Sequence, residues 1–446
     1  MRTKGQSAAV FVVALVAVAS SGALTEPARG PLRVSEANPR YFTDGSGRAI
    51  YLAGAHDGWE LGAPFDGDAV LYVAAEEGKQ MGRSQPIEFK HVVIDAEGPK
   101  NPHTKTAGDV NGDGFVDVVV ASSAGGPVLW YEYPDWTRHV IAPSGRWSCD
   151  AKLADMDGDG DLDLVISEWY GENRMEWYEN PGPEGDPAAD PWKRHIIGSP
   201  RAHDIALGDI DGDGQLEIAT RQQGKEGDEI VVWKRRDAEA WTKRTMECPT
   251  GEGLSLADLN ADGRLDMVIG GRWYEAPEDI LRDPWEEHIF ADWPPDAVVR
   301  VADMNKSGRL DVVVTRSEGH HRLSWFEAPA DPKSPEWREH VVDGSVDHAH
   351  SLAICDMNND GQPDIVTAEM HQSPRKRLMV YLNGGDPTTW TRQVIAETGS
   401  HNLCVADIGN TGALDIVGAN WSGGYQAVEM WGRQGEGLRE KGTAKG

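Results

Sequence analysis

Apolar residues in this chain gather into short β-branched runs bounded by aspartate, asparagine and glycine: DVVVAS, DLVISE, DMVIGG, DVVVTR, DIVTAE and DIVGAN. Such runs read as buried strands rather than as faces of helices. Each follows a short acidic loop, and the loops begin at Asp109, Asp155, Asp209, Asp258, Asp303, Asp356 and Asp407, between 45 and 54 residues apart. Seven copies at one interval predict a repeat architecture in place of a single globular core. Two further strands follow in the units, the second of them in six. One ends in an aromatic (VLWYEY, MEWYEN, IVVWKR, RWYEAP, LSWFEA, MVYLNG, VEMWGR), and the other opens on Trp136, Trp192, Trp241, Trp285, Trp337 or Trp390 and reads aromatic-x-x-His-Val-Ile in its fullest form.

The loops carry hard oxygen donors at positions 1, 3, 5 and 9. The full sets are Asp109, Asn111, Asp113 and Asp117; Asp155, Asp157, Asp159 and Asp163; Asp209, Asp211, Asp213 and Glu217; Asp258, Asn260, Asp262 and Asp266; and Asp356, Asn358, Asp360 and Asp364. Calcium takes six to eight oxygens in a pliable shell, and alternate side chains of a tight loop supply them. Position 6 is glycine in every copy, where a chain folding back on itself needs positive φ. The fifth loop keeps Asp303, Asn305 and Asp311 but has Ser307 at position 5, and the seventh has Gly409 and Thr411 in donor places. About five calcium sites are therefore expected, with the fifth loop weak and the seventh empty. An EF-hand would need Glu at position 12, yet Val120, Ile166 or Thr220 stands there.

The unit D-x-[DN]-x-D-G-x-x-D followed by aliphatics resembles the FG-GAP or VCBS repeat of the integrin α-chain propeller and of many secreted bacterial proteins. The resemblance covers roughly residues 87–433. It implies an all-β fold, a seven-bladed β-propeller of four-stranded blades with calcium-binding loops between the first and second strands.

The aromatic-x-x-His strand follows repeats 1 to 6 and is missing after repeat 7, while a copy (Phe89, Lys90, His91, Val92, Val93, Ile94) precedes repeat 1. Residues 87–94 are therefore predicted to pair with the strand near Val428 to Trp431, so that both chain ends complete blade 7 and no sheet edge is left exposed.

Composition narrows the rest. A formal charge of −30 disfavours nucleic acid and anionic lipid as partners. Residues 1–23, with Arg2 and Lys4 ahead of an apolar run, read as a secretory signal peptide, and no later stretch is apolar enough to span a membrane; the expected location is secreted or periplasmic. Residues 24–86 do not follow the repeat. Parts of them resemble strands of secreted glycoside hydrolases, but only Glu60 to Ala63 stand where a catalytic barrel would need about 250 residues. They read as a hairpin or a relic, and residues 434–446 as a flexible tail. Cys149, Cys248, Cys355 and Cys404 allow three pairings if all are oxidised.

Six residues before each loop stand His103, Cys149, His203, Glu252, Ala297, His350 and His401, at the start of each innermost strand and hence at the channel mouth opposite the loops. His203 and His350 are candidate bases, with Arg221 and Arg316 as anion stabilisers. His103, His401, Asp204, Arg272, Trp273 and Trp421 are candidate ligand-binding residues, the aromatics as platforms for sugar rings. His103, His350 and His401 belong to adjacent blades and are a candidate transition-metal arc of neutral imidazoles. Recognition of an extracellular glycan or protein, with carbohydrate preferred, ranks first, and a sugar lyase or dehydratase such as the dehydratase acting on aldos-2-uloses, whose propeller has this look, is the runner-up. A cell-surface adhesion module ranks third. Convergence of His203 or His350 with an arginine in a deep mouth would favour the enzyme, and a shallow aromatic shelf would favour binding.

Overall fold

The computed structural model describes residues 33–34, 42–43, 49–50, 86–169, 173–182, 185–222, 229–237 and 240–433. The leader expected at 1–23, most of the 24–86 segment and the 434–446 tail lie outside the described residues. Arg33–Val34, Phe42–Thr43 and Ala49–Ile50 form a small three-stranded antiparallel sheet, which belongs to a separate unit. Among the described residues there is no helix, so none is long and apolar enough to cross a membrane.

From Phe89 onward the strands form seven four-stranded sheets. Six are consecutive meanders, beginning with the inner strands Pro102–Gly108, Trp147–Ala154, Ala202–Gly208, Ser255–Ala257, Ala297–Ala302 and Ser351–Cys355. In the seventh, Cys404–Ala406, Asp415–Gly418 and Val428–Arg433 are completed by Phe89–Asp95. Trp431 pairs with His91 and Met430 with Val92, the closure that the displaced outer strand predicts. Just ahead of that strand, Ile87 is fastened to blade 6: its N–H donates to Gln393 Oε1 at 2.8 Å and its carbonyl accepts from Gln393 Nε2 at 2.6 Å.

Each sheet is apolar on both faces, and the buried side chains fall into seven clusters, one for every interface between neighbouring blades. The cluster between blades 7 and 1 joins Val417, Val428 and Met430 to Val118, Val120 and Tyr131, so the ring is sealed by the same packing as elsewhere. Trp130, Trp177, Trp273 and Trp325 are fully buried, and the recurrent outer-strand histidines lie over them: His139 on Trp130, His195 on Trp177, His288 on Trp273 and His340 on Trp325, with ring centroids 4.0 to 4.3 Å apart. Each of these histidines also meets a glutamate two residues beyond its tryptophan, as His195 Nε2 does Glu179 Oε2 at 2.7 Å. These histidines therefore pack the blades. Among the described residues, Cys149, Cys248, Cys355 and Cys404 form no disulfide.

Candidate functional site

The inner strands bring the residues six places before the loops together in the channel. Two imidazoles grip one carboxylate there. His203 Nε2 lies 3.2 Å from Glu252 Oε2, and His350 Nε2 lies 3.2 Å from Glu252 Oε1. All three side chains are buried, and their ligand atoms lie within 4.8 Å of one another, as a metal site requires. Cys149 Sγ stands 3.4 Å from His203 Nε2. On the other side of that ring, His203 Nδ1 meets Asp204 Oδ2 at 3.2 Å, and the same oxygen accepts the Gly253 N–H at 2.9 Å. Asp204 thus orients the histidine and fixes the backbone that carries Glu252.

Blade 4 delivers Glu252 on irregular chain, because its inner strand is only Ser255–Ala257. Gly253 sits at φ +91°, and a Cβ there would lie 1.9 Å from the Ala297 carbonyl oxygen, so only glycine lets blade 4 approach blade 5 this closely. The Arg221 guanidinium locks the turn from behind, donating to the carbonyls of Glu252, Gly253 (2.9 Å) and Pro249 (3.0 Å). Ala297, the small residue of the ring, lines the channel on the blade 5 side with Val298 and Arg300.

Charge is divided within the channel. Burial opposes a positive His203, but Cys149, Asp204 and Glu252 outweigh it and raise its pKa well above the ordinary imidazole value. His350 is likewise raised, burial being outweighed by Glu252. Glu252 is driven far down, its burial overcome by the two histidines. His103 and His401 go the opposite way, lowered by burial and by the cationic neighbours His203, His350 and Lys105, so they stay neutral. Burial and Glu252 raise Asp296 and Glu318, which lie beside the group.

Several expectations need correcting against this geometry. His350 and His401 are stacked with centroids 3.9 Å apart, and His103 and His401 lie at 4.7 Å, so that arc presents ring faces to one another and does not converge its nitrogens. The metal-capable set is His203, Glu252 and His350. Arg221 gives its guanidinium to three carbonyls and supports the site without facing it. Arg272 pairs with Glu287 at 2.7 Å on the outer strand of blade 4, and Trp273 is wholly buried against His288. Trp421 does lie at the mouth, half-buried against His103, His371 and His401. Arg316 is half-buried and bears on Asp296. Glu252 had no role assigned from sequence, although it occupies the same offset as the four histidines; that shared offset was the available signal.

At the opposite face, each loop closes on its own backbone. The first aspartate accepts the N–H of the sixth-position glycine, as Asp109 Oδ2 does from Gly114 at 2.8 Å. All seven of those glycines have φ between 77° and 98°. In six of the loops the ninth-position carboxylate accepts two backbone N–H groups: Asp163, for example, takes Met156 at 2.9 Å and Asn180 at 2.8 Å. It therefore ties the loop to the third strand in its own right.

The comparisons with known proteins bear on these loops first. The model of the FG-GAP-like repeat matches residues 109–166, 155–220, 303–367 and 356–418, about half of the chain. The chain belongs to the FG-GAP-like repeat family. A curated relative of this FG-GAP protein is the aldos-2-ulose dehydratase of Phanerodontia chrysosporium, 24% identical in an alignment 178 residues long that covers 35% of this chain and 19% of the relative. The match thus takes in about a fifth of the relative's length. Among solved structures, BBS1N in complex with ARL6DN is 10% identical with a TM-score of 0.48, covering 80% of this chain and 99% of that one. The luciferin-regenerating enzyme is 13% identical with a TM-score of 0.40, covering 79% and 99%. No functional inference is drawn from either.

The FG-GAP loops differ in how well they suit a cation. Asp109 Oδ1 is buried with no hydrogen-bond donor among the described residues, and Asp155, Asp157 and Asp163 bring oxygens within 4.8 Å of one another. Loops 4 and 6 keep the same donor pattern, with Asp258 and Asp356 each receiving the glycine N–H. In loop 5, Ser307 leaves Asp303, Asn305 and Asp311 as side-chain donors, and in loop 7 the first aspartate is engaged by the Thr411 N–H and hydroxyl.

Proposed function

We propose that this protein is an extracytoplasmic enzyme of the sugar dehydratase or lyase class, with its reactive centre in the propeller channel. The observation that carries this reading is the buried convergence of His203, Glu252 and His350. A glycan-binding shelf would need several exposed flat rings, whereas Trp169 and Trp273 are buried, Trp421 is half-covered, and the exposed Tyr425 is tied to Glu429 at 2.7 Å. The similarity to a protein named aldos-2-ulose dehydratase supports the same class, and the leader-like residues 1–23 support export.

Two imidazoles and a carboxylate suit a divalent transition ion, with the remaining coordination positions left for substrate. Such an ion would supply Lewis-acid polarisation of a carbonyl or hydroxyl oxygen. The chain does the rest. Asp204 sets the tautomer and orientation of His203, and Arg221 with Gly253 sets the carboxylate of Glu252. Ala297 lines the channel on the blade 5 side, and Asp296, Arg316 and Glu318 lie within electrostatic reach of that region. There Arg316 faces developing negative charge, and Asp296 and Glu318 are the carboxyl groups best placed to hold a proton for a leaving hydroxyl.

At the other face, loops 1, 2, 4 and 6 would take calcium, which offsets part of the chain's negative charge and rigidifies the rim. The test of function is a panel of keto-sugars and acidic polysaccharides, followed by the ultraviolet absorbance of unsaturated product. Product that requires added divalent metal and is lost in Glu252→Gln supports the reading. Glycan binding without product, equal in the variant, returns the protein to a recognition role.

A further inference from the structure

The third loop breaks the pattern of the others at two places. Its ninth position is Glu217, where the other six loops have Asp117, Asp163, Asp266, Asp311, Asp364 and Asp415. In those six, one oxygen accepts the N–H at loop position 2 and the other accepts a backbone N–H at the end of the third strand, as Asp117 does from Tyr133 at 2.9 Å and Asp266 from Ala276 at 2.9 Å. Glu217 keeps the first bond, from Ile210 at 2.9 Å, but its other oxygen meets the Lys234 ammonium at 3.0 Å.

Lys234 is the second departure. Its ladder position, next after the residue paired with the start of the second strand, is Glu132, Glu179, Glu275 and Glu327 in blades 1, 2, 4 and 5. Blade 3 alone reverses that charge. The lysine reaches into the loop, with Nζ 2.5 Å from Asp211 Oδ2, 2.7 Å from Asp213 Oδ2 and 3.0 Å from Glu217 Oε1. These oxygens belong to loop positions 3, 5 and 9, the alternate side chains through which a loop of this type ligates an ion.

We infer that Lys234 is the resident cation of blade 3, so this loop holds its shape without calcium while its full-length neighbours require the ion. The ammonium lies within 3.0 Å of a carboxylate oxygen of Asp211, Asp213 and Glu217, and an ion placed among the same oxygens would stand against a like charge. Admitting calcium means expelling the lysine and breaking its hydrogen bond to Asp211 and its ion pairs with Asp213 and Glu217. The extra methylene of Glu217 and the change from Glu to Lys are complementary: the longer acid reaches the ammonium, and the ammonium replaces the backbone N–H that the shorter acid uses elsewhere. This inference rests on the reading that the other full loops take calcium, and the experiment below separates the two.

The full chain, stripped with chelator, is titrated with calcium by calorimetry as wild type, Asp157→Asn in loop 2, Asp213→Asn in loop 3, and Lys234→Met. The expected result is that Asp157→Asn loses one equivalent, Asp213→Asn loses none, and Lys234→Met gains one. Lys234→Met should also melt lower than wild type in EGTA and recover in millimolar calcium. If Asp213→Asn loses an equivalent as Asp157→Asn does, or Lys234→Met neither gains an ion nor is rescued by calcium, the inference is overturned. If Asp157→Asn changes nothing because wild type binds no calcium, the calcium reading of the loops falls and this inference falls with it.

Discussion

Asp95 ends the strand that closes the ring, and its carboxylate reaches from blade 7 into blade 1. Oδ2 accepts the Tyr131 hydroxyl at 2.7 Å, and Oδ1 accepts from Arg138 Nη2 at 2.5 Å and from the Gly98 N–H at 2.8 Å. Replacement by alanine leaves the hydroxyl of a fully buried tyrosine without its acceptor. A hydrogen bond to a charged partner contributes about 1.5–3 kcal/mol, and the half-exposed Arg138 adds at most about 1, so Asp95→Ala should cost about 2–4 kcal/mol. Asparagine keeps an acceptor for Tyr131 and should cost roughly half as much.

The pH dependence follows from the direction of the Asp95 shift. Burial works against its charge, but the Tyr131 hydroxyl, the Gly98 N–H and Arg138 outweigh it and hold the carboxyl below the usual range. Its stabilisation is whole above the ordinary carboxylate pKa and is lost as pH falls through the lower folded value. The difference between wild type and Asp95→Asn should therefore be full at pH 7 and shrink below about pH 4. Urea unfolding followed by tryptophan fluorescence at pH 7 and pH 3 measures it. A loss under about 0.5 kcal/mol at pH 7, or one unchanged in acid, would refute the role given to Asp95. Asp343 makes the same contacts between blades 5 and 6, with the Tyr381 hydroxyl at 2.8 Å and Arg392 Nη1 at 2.9 Å. Asp343→Asn should match the energy, while limited proteolysis should release the N-terminal strand only in the Asp95 variants.

Gly253→Ala places a methyl group inside the Ala297 carbonyl and should displace Glu252, removing turnover at a cost of about 2 kcal/mol or more in stability; normal turnover would show that the approach of blades 4 and 5 is not needed. Arg221→Met should leave the ring folded and weaken divalent-metal binding in the channel by about 10- to 100-fold, measured by competition with a chromogenic chelator. Asp163→Ala removes two backbone hydrogen bonds, so it should lower the melting temperature in EGTA as well as in calcium; a loss seen only with calcium present would make the residue purely an ion ligand.

The ring was legible in sequence because it is written seven times. Positive-φ glycines, β-branched runs and a displaced Phe89–Ile94 copy each specify a local geometry that repetition multiplies. The channel was legible only in part. Counting from the loops found His203, Glu252 and His350, since strand length fixes depth, but side-chain direction decided their roles. The placement of Glu252 and the turn of Arg221 depend on irregular chain at Gly251 to Gly253, which no repeat announces. Trp273 was misread as a platform for the same reason: an aromatic at a strand start can face the mouth or the neighbouring blade. Lys234 lay outside the loop motif and met its carboxylates only through strand pairing.

The most direct measurement is a cobalt(II) titration of chelator-stripped protein, read by its visible absorption, in wild type, Glu252→Gln and the loop variant Asp157→Asn. The account predicts one tight equivalent with a ligand-field spectrum in wild type and Asp157→Asn, absent in Glu252→Gln. No spectrum in wild type, or the same spectrum in Glu252→Gln, would contradict a metal centre built from His203, Glu252 and His350.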